Sequence, residues 1–194
     1  RFFNNLHDPV VSGELFGTAE LVNDFGQSRL KLVADSFPST WGTWISEPIP
    51  ETVIGINVSF RFSFKNQDGG PGDGFSFLWG DLSDTTNGRA SGGEWGVSAF
   101  VEDEAGLSVC MKSYPAKGSN GVKGKWGSQE FAFTSEDFSS ITYSNYQQAL
   151  DPMNMATMNV TWDKQNGVSV SIAFPSNNPQ VIWQDKGGSY FDGV

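Results

Sequence analysis

Apolar and polar positions alternate with a period of two along most of this chain. The longest such stretch runs from Ile54 to Phe64. Ile54, Ile56, Val58, Phe60, Phe62 and Phe64 fall on one face, and Asn57, Ser59, Arg61 and Ser63 on the other. Successive strand side chains point to opposite sides of a sheet, so this pattern predicts a long strand with one face in a core. Shorter segments of the same kind are Ser28–Ala34, Trp41–Ile45, Phe75–Trp79, Lys125–Phe133, Met155–Trp162 and Val168–Phe174. Two hairpins are expected. One pairs Trp95–Val101 with Leu107–Tyr114 across Glu102–Gly106. The other joins Met155–Trp162 to Val168–Phe174 through Asp163-Lys164-Gln165-Asn166-Gly167, where Asn-Gly suits a tight turn. Helical periodicity is limited to a single turn near Glu136-Asp137-Phe138, and Asp81 to Gly93 reads as a long loop. Short strands punctuated by Gly, Pro and Asn predict an all-β domain.

Within this pattern one run carries candidate chemistry: Pro71-Gly72-Asp73-Gly74-Phe75-Ser76-Phe77-Leu78-Trp79-Gly80. Glycines let a backbone take φ > 0 and let a ligand approach it closely. Asp73 would then stand at a sheet rim as an aimed hydrogen-bond acceptor. An Asp-Gly pair after a Gly/Pro turn is also an ordinary way to begin a strand, and spacing leaves both readings open.

Composition narrows the function classes. At 194 residues the chain suits one domain with a full core. Its formal net charge of −10 argues against nucleic acid and against an anionic membrane surface. Apolar runs fall well short of the ~20 residues of a membrane span. Cys110 is the single cysteine, which excludes an internal disulfide. Two sequons, Asn57-Val58-Ser59 and Asn159-Val160-Thr161, place their asparagines opposite the apolar face, where a glycan could be attached. They favour an extracellular or cell-surface location.

Three ordered segments resemble the legume-lectin-like branch of the concanavalin A-like lectin/glucanase superfamily. They are Gly72-Asp73-Gly74-Phe75-Ser76-Phe77, Gly92-Gly93-Glu94-Trp95-Gly96-Val97, and Gly106-Leu107-Ser108-Val109-Cys110-Met111-Lys112-Ser113-Tyr114 followed by Asn120. With the hairpin Asn159–Phe174 the resemblance covers about residues 54–174. It implies a jelly-roll sandwich of two antiparallel sheets over residues 1–194, as a module or fragment of a longer chain. It also implies a shallow carbohydrate-binding site. Asp73, the Gly93 backbone and Asn120 would hold sugar hydroxyls, with Trp95 or Tyr114 as the stacking ring. A carboxylate accepting from vicinal hydroxyls makes the stronger, charge-assisted kind of bond.

The chain departs from that family where calcium is normally held. The outward positions of the third segment are expected to be Cys110 and Lys112, and Ca²⁺ needs several oxygen ligands. We therefore expect no metal cofactor there. Catalysis is not expected either. Retaining glycosidases need two carboxyls ~5–5.5 Å apart. The dense acidic run Glu102-Asp103-Glu104 reads as a solvated turn, and no spacing singles out Asp81, Asp84 or Glu94. The one histidine, His7, lies near a terminus with no triad around it. Two function classes remain. One is a lectin-like module binding glycans; the other is a structural module of an extracellular protein assembly that has lost metal and sugar binding.

Overall fold

The computed structural model describes residues 13–24, 27–32, 42–47, 53–66, 74–80, 106–113, 120–127, 129–175 and 180–185. Strands dominate them, as the alternation predicts. In chain order they are β1 (Gly13–Gly17), β2 (Glu20–Asp24), β3 (Gln27–Lys31), β4 (Gly42–Ser46), β5 (Gly55–Phe62), β6 (Phe64–Lys65) and β7 (Gly74–Gly80). There follow β8 (Gly106–Lys112), β9 (Gly121–Trp126), β10 (Gln129–Ser135), β11 (Thr142–Tyr143), the one-turn helix α1 (Tyr146–Leu150), β12 (Ala156–Asp163), β13 (Gly167–Ala173) and β14 (Gln180–Asp185).

Two four-stranded antiparallel sheets enclose the core. One has the order β10-β9-β8-β7 and the other β14-β13-β12-β5. Their facing sides contribute to a single apolar cluster. Leu107, Val109, Met111 and Val122 come from the first sheet, and Phe62, Met158, Val160, Trp162, Val168, Val170 and Ile172 from the second. Corresponding edges lie over one another. Phe62 of β5 meets Phe75 of β7 with ring centroids 5.0 Å apart, and Thr134 of β10 donates its hydroxyl to the Ile182 carbonyl of β14 at 3.0 Å. The fold is thus an all-β sandwich. Pairs β1–β4 and β2–β3 form two further antiparallel ribbons, while β6 and β11 pair in parallel.

Three expectations need correction. The Ile54–Phe64 strand is shorter than its alternation suggests: Ile54 precedes it and is 84% exposed. The chain leaves the sheet at Ser63, whose hydroxyl donates to the Ala149 carbonyl, and Phe64 passes to β6. Lys125–Phe133 is two strands, not one. Gly127 takes φ +54° and donates its N–H to the Gly106 carbonyl at 2.9 Å, turning β9 into β10. A bulge between Glu130 and Ala132 then sets Phe131 against the core and leaves Phe133 43% exposed. Finally, both edges of β8 are occupied, by β7 and β9, so Leu107–Tyr114 does not form the expected hairpin with Trp95–Val101. Residues 95–101 lie outside the described residues. The Met155–Trp162/Val168–Phe174 hairpin is present as β12–β13, with Gly167 at φ +70°.

The helical turn expected at Glu136–Phe138 appears slightly later, as a 3-10 turn over Ser139–Ile141. Asp137 sets it by accepting from the Ser139 N–H at 2.9 Å. This places Phe138 under the sandwich, fully buried, with its ring 5.6 Å from Phe64 and 6.4 Å from both Phe62 and Phe174. Phe138 therefore plugs the end of the core. Phe138→Ala should lower the unfolding free energy by ~3–5 kcal/mol, the range for removing a buried ring. The check is chemical denaturation, with the midpoint falling at an unchanged m-value.

Candidate functional site

The register of the first sheet aligns Gly74, Lys112, Gly121 and Ser135 in one cross-strand row. Because neighbouring strands run in opposite directions, the residues just beyond this row share one end of the sheet. Among the described residues these are Ser113 after Lys112, Asn120 before Gly121 and Glu136 after Ser135. The topology thus brings the Asn120 position to the sheet end at which β7 begins. Asp73, Gly93, Trp95 and Tyr114 themselves lie outside the described residues.

Two glycines hold this row tightly. Gly74 has φ +144°, and a Cβ there would meet the Met111 carbonyl oxygen at 1.8 Å. At Gly121 a Cβ would stand 2.3 Å from the Thr134 carbonyl oxygen and 2.9 Å from the Phe133 ring. The Asp73-Gly74 and Asn120-Gly121 pairs therefore share a logic. Each polar residue is followed by a glycine that the adjacent strand requires.

Asn120 is pinned by its backbone, while its buried carboxamide oxygen is left without a partner. Its carbonyl accepts from the Glu136 N–H at 3.1 Å and from the Ser135 hydroxyl at 3.3 Å. The carboxamide oxygen Oδ1 is buried and has no hydrogen-bond partner. Leaving such an acceptor unsatisfied costs on the order of 1–3 kcal/mol. Glu136 was not expected at the site. Partial desolvation pushes its carboxyl above the ordinary carboxylate range. Its sequence signal, a polar Glu-Asp pair ending a strand, is common to many turns.

Beside the rim the chemistry of β8 differs from expectation. Cys110 and Lys112 do not face outward to solvent: Cys110 is fully buried and Lys112 only 4% exposed. Ser108 and Ser113 are buried with them, so β8 is covered on both faces. Burial pushes the Cys110 thiol up to about 11, against the opposing pull of a Ser76 hydrogen bond and the Lys125 and Lys123 ammonium groups. Lys123 is itself paired with Glu130 at 2.7 Å. A protonated thiol and an ammonium group do not fit calcium, which takes oxygen ligands. Among the described residues no three His, Cys, Asp or Glu side chains gather into a cation site.

The sequons lie elsewhere, on the outer face of the second sheet. Asn57 is exposed on β5; Asn159 is half-buried on β12, its Nδ2 3.5 Å from the Ser171 hydroxyl.

Since only the thiolate is reactive, a buried, protonated Cys110 should resist thiol reagents in the native protein at neutral pH. Labelling with a disulfide reagent should proceed only as fast as unfolding exposes the residue, and become immediate in denaturant. Rapid stoichiometric labelling of the folded chain would contradict the burial. In comparisons with known proteins, no family model matches this chain and no curated protein matches it in sequence.

Proposed function

We propose that this chain is a carbohydrate-binding, lectin-like module whose shallow site lies at the rim where β7 begins and β8 passes into β9. The observation that carries the reading is the partnerless carboxamide oxygen of Asn120, buried on a rigid strand boundary beside the segment that delivers Asp73. Asn120 Oδ1 and the Asp73 carboxylate accept from sugar hydroxyls. The Gly93 N–H donates to a ring or hydroxyl oxygen, and Trp95 or Tyr114 lies under the sugar face. The all-β sandwich and the three ordered motifs support this assignment, and a secreted or cell-surface location goes with it. The module works without catalysis and, given the groups on β8, without the usual calcium.

A second reading has its own observation. The covered outer face of β8, with Ser108, Cys110 and Lys112 all buried, suits a structural module whose sheet serves packing alone. In that case the chain would bind protein partners in an extracellular assembly and no glycan.

Glycan-array binding followed by calorimetry separates the two. The wild-type chain should bind a subset of glycans at around millimolar Kd, near −4 kcal/mol per site, as expected of a shallow single-sugar site. Binding should persist in EDTA. Asn120→Ala should weaken it about tenfold, the effect of one hydrogen bond of ~1.4 kcal/mol, and Asp73→Asn should weaken it at least as much. Absence of binding across the array, or equal binding by both variants, would remove the sugar site and favour the structural module.

A further inference from the structure

The two sequons are cross-strand partners. In the β5–β12 ladder Asn57 stands opposite Thr161, Val58 opposite Val160, and Ser59 opposite Asn159. Each asparagine therefore faces the hydroxyl residue of the other's sequon, and the two asparagines are diagonal neighbours on the same outer face. Diagonal neighbours in an antiparallel pair lie ~7–8 Å apart, so two glycans rooted here would compete for the space above one patch of sheet.

The two positions are not equivalent. Among the described residues β5 is a terminal strand of its sheet, and Asn57 is exposed on it. β12 is interior, hydrogen-bonded to β5 on one side and to β13 on the other, and Asn159 is half-buried between them. Its carboxamide also contacts the Ser171 hydroxyl, so it belongs to the polar layer that seals the sheet surface. That layer is built of short side chains: Asn57, Thr161 and Ser169 form one row, Ser59, Asn159 and Ser171 the next. A glycan at Asn57 leaves over the sheet edge. One at Asn159 rises from the middle of the face and must displace its neighbours.

We propose that the native protein carries one N-linked glycan, on Asn57, and that Asn159 stays unmodified as part of the sheet surface. The inference rests on the secretory location given above, and is independent of sugar binding. In the transfer, Asn57 Nδ2 attacks the anomeric carbon of a lipid-linked diphosphate oligosaccharide. The carbon–oxygen bond to phosphate breaks, the lipid diphosphate leaves with the bonding pair, and the amide nitrogen gives up one proton. Transfer precedes folding, so the fold acts by deciding which glycoforms reach the native state.

The test is to secrete the full chain from a eukaryotic host and map site occupancy by mass spectrometry before and after enzymatic deglycosylation. Wild type and Thr161→Ala, which keeps only the Asn57 sequon, should both carry a single glycan at Asn57. Ser59→Ala keeps only the Asn159 sequon. It should emerge unmodified or at several-fold lower yield, since a modest loss of stability reduces abundance by that much. The same Ser59→Ala variant made without glycosylation should melt like wild type, which assigns any loss to the glycan and not to the substitution. Asn159 occupied in most wild-type molecules, or Asn57 bare in wild type, would overturn the proposal.

Discussion

The sandwich depends on an aromatic seam between β5 and β7. Phe60 and Phe62 of β5 meet Phe75 of β7 at 6.1 and 5.0 Å, and Phe60 stacks on Phe77 at 6.2 Å. Phe64 and Phe138 extend the cluster beyond the strand end, each in edge or tilted contact with its neighbours. Edge-to-face and offset pairs add ~0.5–1.5 kcal/mol each beyond the apolar area they bury. This seam ties terminal strands of the two sheets together, so it fixes how they stack. It also fixes where β7 begins, and with β7 the position of the rim.

Burial of β8 on both faces decides the chemistry beside that rim. An interior strand covered on both sides disfavours charge and keeps a thiol protonated; Cys110 behaves as a small apolar residue, and Lys112 is held at the end of the row. At the end of that sheet stand the Asn120 amide and the Glu136 carboxyl, with no cluster of cation ligands among the described residues. The Gly74–Lys112–Gly121–Ser135 row is held by register and close packing.

Much of the fold was legible in the sequence because most strands keep strict alternation. β5, β7, β8, β12 and β13 all follow it, and the Asn-Gly turn set the β12–β13 register. The failures have local causes. At β9–β10, Gly127 turns the chain inside an otherwise continuous pattern, and a bulge then shifts the face of Phe133. The segments Gly13–Gly17, Glu20–Asp24 and Gln180–Asp185 form β1, β2 and β14 although their alternation is weak; tertiary pairing, not local pattern, makes them strands. The burial of Lys112 was misread because alternation reports only that it opposes Met111, and a strand covered on both sides carries no signal of its second cover. The Asn120 position was singled out through resemblance. Glu136 was missed because its approach to Asn120 comes from pairing of β10 with β9, which no short-range pattern encodes.

β8 and β12 are interior strands of two sheets that share one core. Residue-resolved amide hydrogen exchange of the native chain tests this most directly. Ladder amides open with free energies up to that of global unfolding, and the most deeply paired and packed ones exchange last. The account predicts that Leu107–Lys112 and Ala156–Asp163 are the slowest-exchanging segments and share one opening free energy, equal to that of global unfolding. Fast exchange in Leu107–Lys112 while Ala156–Asp163 stays protected would contradict it, because β8 would then be neither doubly paired nor part of the common core.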